Sequence, residues 1–248
     1  MTRRHGYLFV LALVLTLAGC SLNVQSGKPE FGRQNFHYLK PFPEYQAAFD
    51  QAKSRFVVLE ARRLDGEVTG LASGIWMDKD HILSCFHVLT VDSAIYFQTS
   101  SAEGRISHKL DRDAITKVSP VADLVLFYAP GEGPDVTPIK IADDIQVGEE
   151  LVSYGNANGM GGYMQILHVA ENRVGDHPEY NEIYLNEPVF EGMSGSGAYN
   201  VKGELAGVMM ETFRDTSAKT YSIAFGGAVS QSRLKWFLAP PEQEQKEK

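Results

Sequence analysis

The sequence predicts an all-β protein, a sandwich or barrel built in two halves. Short apolar runs rich in β-branched and aromatic residues recur along the chain, with turn residues between them. A proline- and glycine-rich interruption, Ala129-Pro130-Gly131-Glu132-Gly133-Pro134, divides the runs into two sets. A helical period shows only outside the two sets, ahead of the first and after the second.

The chain opens with Arg3, Arg4 and His5, then an apolar run from Tyr7 to about Ala18. That run is too short to span a bilayer and suits the hydrophobic region of a secretory signal. It closes on Leu17-Ala18-Gly19-Cys20, which resembles the lipobox of bacterial lipoproteins. The resemblance implies a signal peptide over 1–19, acylation of Cys20 and a membrane partner through the lipid. Ser21, in place of an aspartate, resembles the outer-membrane sorting signal of diderm bacteria, which implies the periplasmic face of the outer membrane in such a host. Residues 21 to about 42 show no sustained period, and 20–50 reads as a lipidated N-terminus and tether.

Acidic residues number 31 against 23 basic, a net charge of −8 that grows more negative once Arg3 and Arg4 leave with the signal. Such a chain is a poor partner for nucleic acid. With Cys20 acylated, Cys85 has no intrachain partner, so the fold must stand on its core.

Glu44 to Ser54 carries apolar residues at helical spacing (Tyr45, Ala48, Phe49, Ala52). Strands are then expected at 56–61, 68–77 and 81–85, with Asp78-Lys79-Asp80 as the turn between the last two. The first half continues with strands at 94–97 and 124–128. The second half offers strands at 150–154, 164–169, 182–185, 197–201, 205–210 and 220–225. Ser230 then caps a helix over 230–238, and the tail from 239 to 248, rich in Glu, Gln and Lys, reads as disordered.

Three stretches carry chemistry. Glu191-Gly192-Met193-Ser194-Gly195-Ser196-Gly197 packs small residues around a serine. By itself that is also the composition of an ordinary turn. Glycines at 192 and 195 permit backbone angles that aim N–H groups at one point beside the hydroxyl, as attack on a carbonyl requires. His87 follows the strand at 81–85, and Asp123 opens the strand at 124–128.

Taken together, Ser73-Gly74-Ile75-Trp76, the His87-Val88 segment, Asp123-Leu124-Val125 and Gly192-Met193-Ser194-Gly195 resemble the trypsin/chymotrypsin-like serine peptidases, especially bacterial HtrA-like and glutamyl endopeptidase-like members. The order His, Asp, Ser is that of the chymotrypsin type. Val147 to Asn156 is similar to the start of that family's second barrel, and the final helix fits as well. The resemblance implies two six-stranded antiparallel β-barrels with a C-terminal helix: a domain over 51–238, barrels at about 55–128 and 139–228, and the helix at about 230–238.

It also implies roles. His87 is the general base and then the general acid, Asp123 orients and stabilises its imidazolium, and Ser194 is the nucleophile. The amides of Gly192 and Ser194 are the oxyanion hole, worth about 3 kcal/mol per donor. Substrates are polypeptides, no cofactor is needed, and no metal is expected, since His37, His81, His108, His168 and His177 lack ligand spacing. The rival readings are a non-catalytic peptide-binding domain and a structural envelope lipoprotein.

Departures bear on specificity. Pro188 stands where trypsin has its pocket aspartate, against cleavage after Lys or Arg. Met209 stands where glutamyl endopeptidases have their substrate-reading histidine, and Met209 with Met210 offers an apolar pocket wall. Cys85 reads as a small packing residue. Too few residues follow Leu238 for a PDZ module, so HtrA-style peptide regulation within this chain is not expected.

Overall fold

The computed structural model describes residues 42–89, 94–101, 104–215 and 223–240. Cys20, the segment read as its signal, most of the expected tether, and the tail from 241 onward lie outside the described residues.

The helix read at 44–54 forms as Gln46–Arg55 (α1), entered through a 3-10 turn at Pro43–Tyr45. Ala48 and Ala52 give it a narrow buried face. At its end Arg55 is buried, and its guanidinium donates to the carbonyls of Trp76, Met77 and Thr137, at 3.0, 3.2 and 2.5 Å. It thereby ties the first half to the stretch that leads from the strand Leu124–Tyr128 toward the second half.

Seven strands build the first sheet: Phe56–Arg62 (β1), Val68–Trp76 (β2), His81–Ser84 (β3), Ala94–Ser101 (β4), Gly104–Leu110 (β5), Ile115–Ser119 (β6) and Leu124–Tyr128 (β7). Their order is β5-β4-β1-β2-β3-β7-β6, with antiparallel neighbours. The second half is Glu150–Gly155 (β8), Tyr163–Arg173 (β9), Glu182–Leu185 (β10), Gly197–Asn200 (β11), Leu205–Asp215 (β12) and Ile223–Ser230 (β13). These close into a barrel in the order β10-β13-β12-β11-β8-β9. The helix Gln231–Leu238 (α2) follows, its first turn capped by the Ser230 hydroxyl accepting the Arg233 N–H at 3.3 Å.

The all-β, two-barrel architecture with a C-terminal helix is thus present, with two differences. The first half has seven strands where six were expected, and among the described residues its two end strands do not pair with each other. Those ends are β5 and β6, absent from the sequence reading. A strand with a single ladder neighbour is half-solvated and carries the polar residues that edges need, so its apolar period is faint. The last strand, expected at 220–225, runs over Ile223–Ser230 instead, because Gly226 and Gly227 erase its alternation.

Three cores result. Inward residues of the first sheet, among them Leu59, Trp76, Phe97 and Phe127, form one, and Leu151, Leu167, Ile183 and Met209 lie in the second barrel's own. A third joins the halves, with Ile75, Leu83 and Leu124 from the first sheet meeting Val152, Tyr199 and Val208 of the barrel and Leu234 and Phe237 of α2. It also contains Cys85 and Met210, so the chemistry-bearing loops rest directly on the seam.

Candidate active site

His87 sits on a 3-10 turn, Phe86–Val88, immediately after β3. Asp123 lies just before β7 with φ of 51°, a left-handed conformation that Asp tolerates better than most side chains, yet at a cost. That backbone turn is held because Asp123 grips the histidine twice. Its Oδ1 accepts the His87 main-chain N–H at 2.9 Å, and its Oδ2 lies 2.8 Å from His87 Nδ1. The Phe86 N–H donates to the Asp123 carbonyl at 3.1 Å. Ring and main chain are therefore fixed by one carboxylate, which assigns the proton on Nδ1 and turns Nε2 into the acceptor.

Ser194 reaches the same place from the barrel, in the loop between β10 and β11. Gly192 and Gly195 have φ of 85° and 87°. A Cβ at Gly192 would strike the Asn156 carbonyl, and one at Gly195 the Ser73 carbonyl and the Ser84 hydroxyl. Only glycine fits either position. The loop is bolted to the first sheet: the Ser73 N–H donates to the Ser194 carbonyl at 2.8 Å, and the Ser73 hydroxyl to the Gly192 carbonyl at 2.7 Å. Met193, Gly195 and Ser196 donate their amides to Phe190, Met209 and Met193. Among the described residues, the amides of Gly192 and Ser194 donate to no protein acceptor. Ser194 is half-buried, and its hydroxyl donates to the Met210 carbonyl at 2.7 Å. Ser196, by contrast, is fully buried, with its hydroxyl 3.1 Å from that of Ser153.

His87, Gly192 and Ser194 line one cleft of about 250 Å³ against β1 and β2. On its other face His87 borders a second hollow with Asp123, Met210, Glu182 and Arg233. Arg233, on α2, is buried among these groups. Its Nε–H donates to the Glu179 carbonyl, its guanidinium lies 3.6 Å from Glu182, and Nη1 lies 3.8 Å from the Met210 sulfur. Burial pushes its pKa down, while Glu182 and Asp123 pull it back up.

Cys85 is fully buried and donates its thiol to the Met209 carbonyl at 3.1 Å. Its sulfur lies within 4.8 Å of ligand-type atoms of His87 and Asp123. The thiol faces the seam and the carboxylate already serves the imidazole, so the grouping is the packed support of the histidine.

A model of the trypsin-like peptidase domain family matches residues 72–208, more than half of the chain. The chain belongs to the trypsin-like peptidase family. Among solved structures, the peptidase fold aligns with the serine endoprotease from Yersinia pestis at a TM-score of 0.63 and 21% identity, over 79% of this chain and 65% of that one. It aligns with Deg5 at a TM-score of 0.59 and 20% identity, over 79% and 94%. The chain therefore spans just under two thirds of the Yersinia protein's length, and at these identities the likeness is one of fold. No curated protein matches the sequence.

Of the residues read from the sequence, His87, Gly192 and Ser194 line one cleft, and Asp123 lies behind His87 in the second hollow. Sequence reasoning missed Met210 as the acceptor for the serine, Ser73 as the bolt, and Arg233 behind the aspartate. Arg233 carried a signal: it shares with Leu234 and Phe237 the spacing of the face that α2 buries. Of the apolar wall expected from Met209 and Met210, Met210 lines the second hollow, whereas Met209 is fully buried in the barrel core.

Proposed function

We propose that this peptidase-family chain is a serine endopeptidase that cleaves polypeptides with Ser194, His87 and Asp123, and that it is held to the envelope membrane by lipid on Cys20. The observation that carries the catalytic part is the pair of hydrogen bonds that Asp123 accepts from His87, with His87 on the wall of the cleft that also holds Ser194 and the two unengaged amides.

The serine hydroxyl first leaves the Met210 carbonyl and turns toward His87. Nε2 takes its proton as Oγ bonds to the substrate carbonyl carbon, and the oxyanion is received by the Gly192 and Ser194 amides. The imidazolium, held by Asp123, gives its proton to the leaving nitrogen, which breaks the peptide C–N bond. Water, deprotonated by the same imidazole, then cleaves the acyl ester and restores Ser194.

The anchoring part rests on Leu17-Ala18-Gly19-Cys20, with a signal over 1–19 and the domain from 51 to 238. Ser21 favours the periplasmic face of the outer membrane in a diderm host. Cys20→Ser is expected to release soluble protein or leave an uncleaved precursor; unchanged detergent partitioning and mature mass argue against the lipid.

The bond from Ser194 to Met210 favours a second reading, a peptide-binding domain without turnover, since the serine proton is engaged by a main-chain carbonyl. A fluorophosphonate probe separates the two. The endopeptidase is labelled once, at Ser194, and Ser194→Ala and His87→Ala abolish labelling. A folded protein that takes no label and cleaves no unfolded substrate is the binding domain.

A further inference from the structure

The cleft extends from His87 into a hollow of the first sheet that the catalytic steps leave unexplained. Its floor follows from register. Ala61 pairs with Gly70 on one side and with Ile95 on the other, and Leu59 pairs with Ala72. Three small residues meeting at one corner of a curled sheet leave space, and Val88, next to the histidine, closes it. The volume of about 250 Å³ falls below the range of about 300–1,000 Å³ that suits drug-sized ligands. The cleft has room for one side chain of a substrate, not for a larger ligand.

Direction comes from the chemistry. The group that protonates the leaving nitrogen must lie beside it, so the residue after the scissile bond sits on the His87 side of Ser194. The residue before it lies toward Met210. The hollow borders His87 and Gly192 and is walled by the first sheet, so it faces the leaving-group residue. Beyond His87 and Ser194 its walls are apolar apart from two carboxylates. Glu60 is buried and already gripped by Arg62 and Gln98, and Glu191 stands exposed at the mouth. An aliphatic side chain gains burial there, and an acidic one meets like charge without a free cation.

We infer that this hollow is a specificity subsite that selects an aliphatic residue, of leucine size, directly after the cleaved bond and rejects acidic ones. The inference rests on the endopeptidase reading and names the substrate class of that site.

Acyl transfer tests it apart from acyl-side preference. p-Nitrophenyl acetate is used to acetylate Ser194, and leucine amide, glycine amide or glutamate amide then competes with water for the ester. The amine nitrogen bonds to the acyl carbon, its proton passes through His87 to Ser194 Oγ, and the ester C–O bond breaks. Leucine amide is expected to outcompete glycine amide by about tenfold, the effect of burying a large aliphatic side chain, with glutamate amide at or below glycine amide. Gly70→Val narrows the hollow and should bring the leucine-to-glycine ratio toward one. Gly70→Ala is the milder variant, since its Cβ meets only the Ala61 Cβ, at an ordinary 3.5 Å, and should lower the ratio part-way. Equal partitioning of the three amides, a preference for glutamate amide, or a ratio untouched by both variants overturns the subsite while leaving the peptidase intact. If no acyl-enzyme forms at all, the endopeptidase reading fails and the subsite falls with it.

Discussion

The hydroxyl of Ser194 donates to the main-chain carbonyl of Met210 at 2.7 Å. A serine hydroxyl has one proton, so in this state it is not donating to His87. In the proposed reaction this hydroxyl must leave Met210, on β12, by rotation about Cα–Cβ before it can serve as the nucleophile. Rotations of that kind at exposed sites take picoseconds to nanoseconds. That rotation therefore costs little in rate, provided the loop keeps its shape.

The two serines of the loop give the first prediction. Ser194 borders the cleft, whereas Ser196 is fully buried against Ser153. Ser196→Ala should still take a fluorophosphonate label, losing about 1 kcal/mol of stability for the hydrogen bond. Mass spectrometry of the adduct checks it. An adduct on Ser196 reverses the assignment.

Gly195 gives the second. With φ of 87° and two polar groups where a Cβ would go, Gly195→Ala must push the loop away from Ser73 and Ser84. Stability should fall by more than about 1 kcal/mol, and labelling at Ser194 should be lost even where the protein stays folded. A wild-type Tm with wild-type labelling contradicts the close approach of loop and sheet.

Much of this architecture was legible because it depends on local sequence. Central strands such as Phe56–Arg62 and Leu124–Tyr128 are buried by neighbours on both sides and read as continuous apolar runs. The terminal helix announced itself through Ser230, whose side chain does accept the Arg233 N–H. His87, Asp123 and Ser194 were readable because each sits at an element boundary with diagnostic neighbours. The edge strands β5 and β6 were not, and neither was the chain of contacts from α2 to the dyad. The edge strands hid because one ladder neighbour leaves them half-solvated with a faint apolar period, and the contacts from α2 hid because they depend on which surfaces meet across the seam, which no local period encodes.

His168 gives the third prediction. Hydrogen bonding to Glu187, at 2.6 Å from Nδ1, raises its pKa above the ordinary histidine value, partial desolvation opposes this, and Glu150 adds to the rise. A folded pKa above the unfolded value means that the stabilising contribution is fully present below about pH 6.5 and is lost as pH climbs through the folded value. Both partners are substantially solvent-exposed, so the effect on Tm is small. NMR titration should find His168 above the ordinary range and back near it in Glu187→Gln. The Tm difference between the two proteins should shrink over the same window. A His168 titration unmoved by the substitution removes the pair from the account.

Arg233 gives the last. It is the buried cation on the Asp123 side of the histidine, sharing the hollow with His87, Asp123, Glu182 and Met210. Cys85 lies on the same side, and Glu60 and Glu191 line the cleft on the other side with His87. Arg233→Met removes a charge-assisted hydrogen bond to the Glu179 carbonyl, at a cost of about 1.5–3 kcal/mol. A purely structural loss would lower kcat/KM by the same factor at every pH. An electrostatic role predicts more. Without the guanidinium, Glu182 and Asp123 favour the imidazolium unopposed, so the acid limb of kcat/KM should move to higher pH. Adding Glu182→Gln removes one of those carboxylates and should bring the limb back toward its original position, even though stability is not restored. Profiles of the wild type, the single variant and the double variant decide the matter: a limb that stays fixed in all three reduces Arg233 to a packing residue of the C-terminal helix.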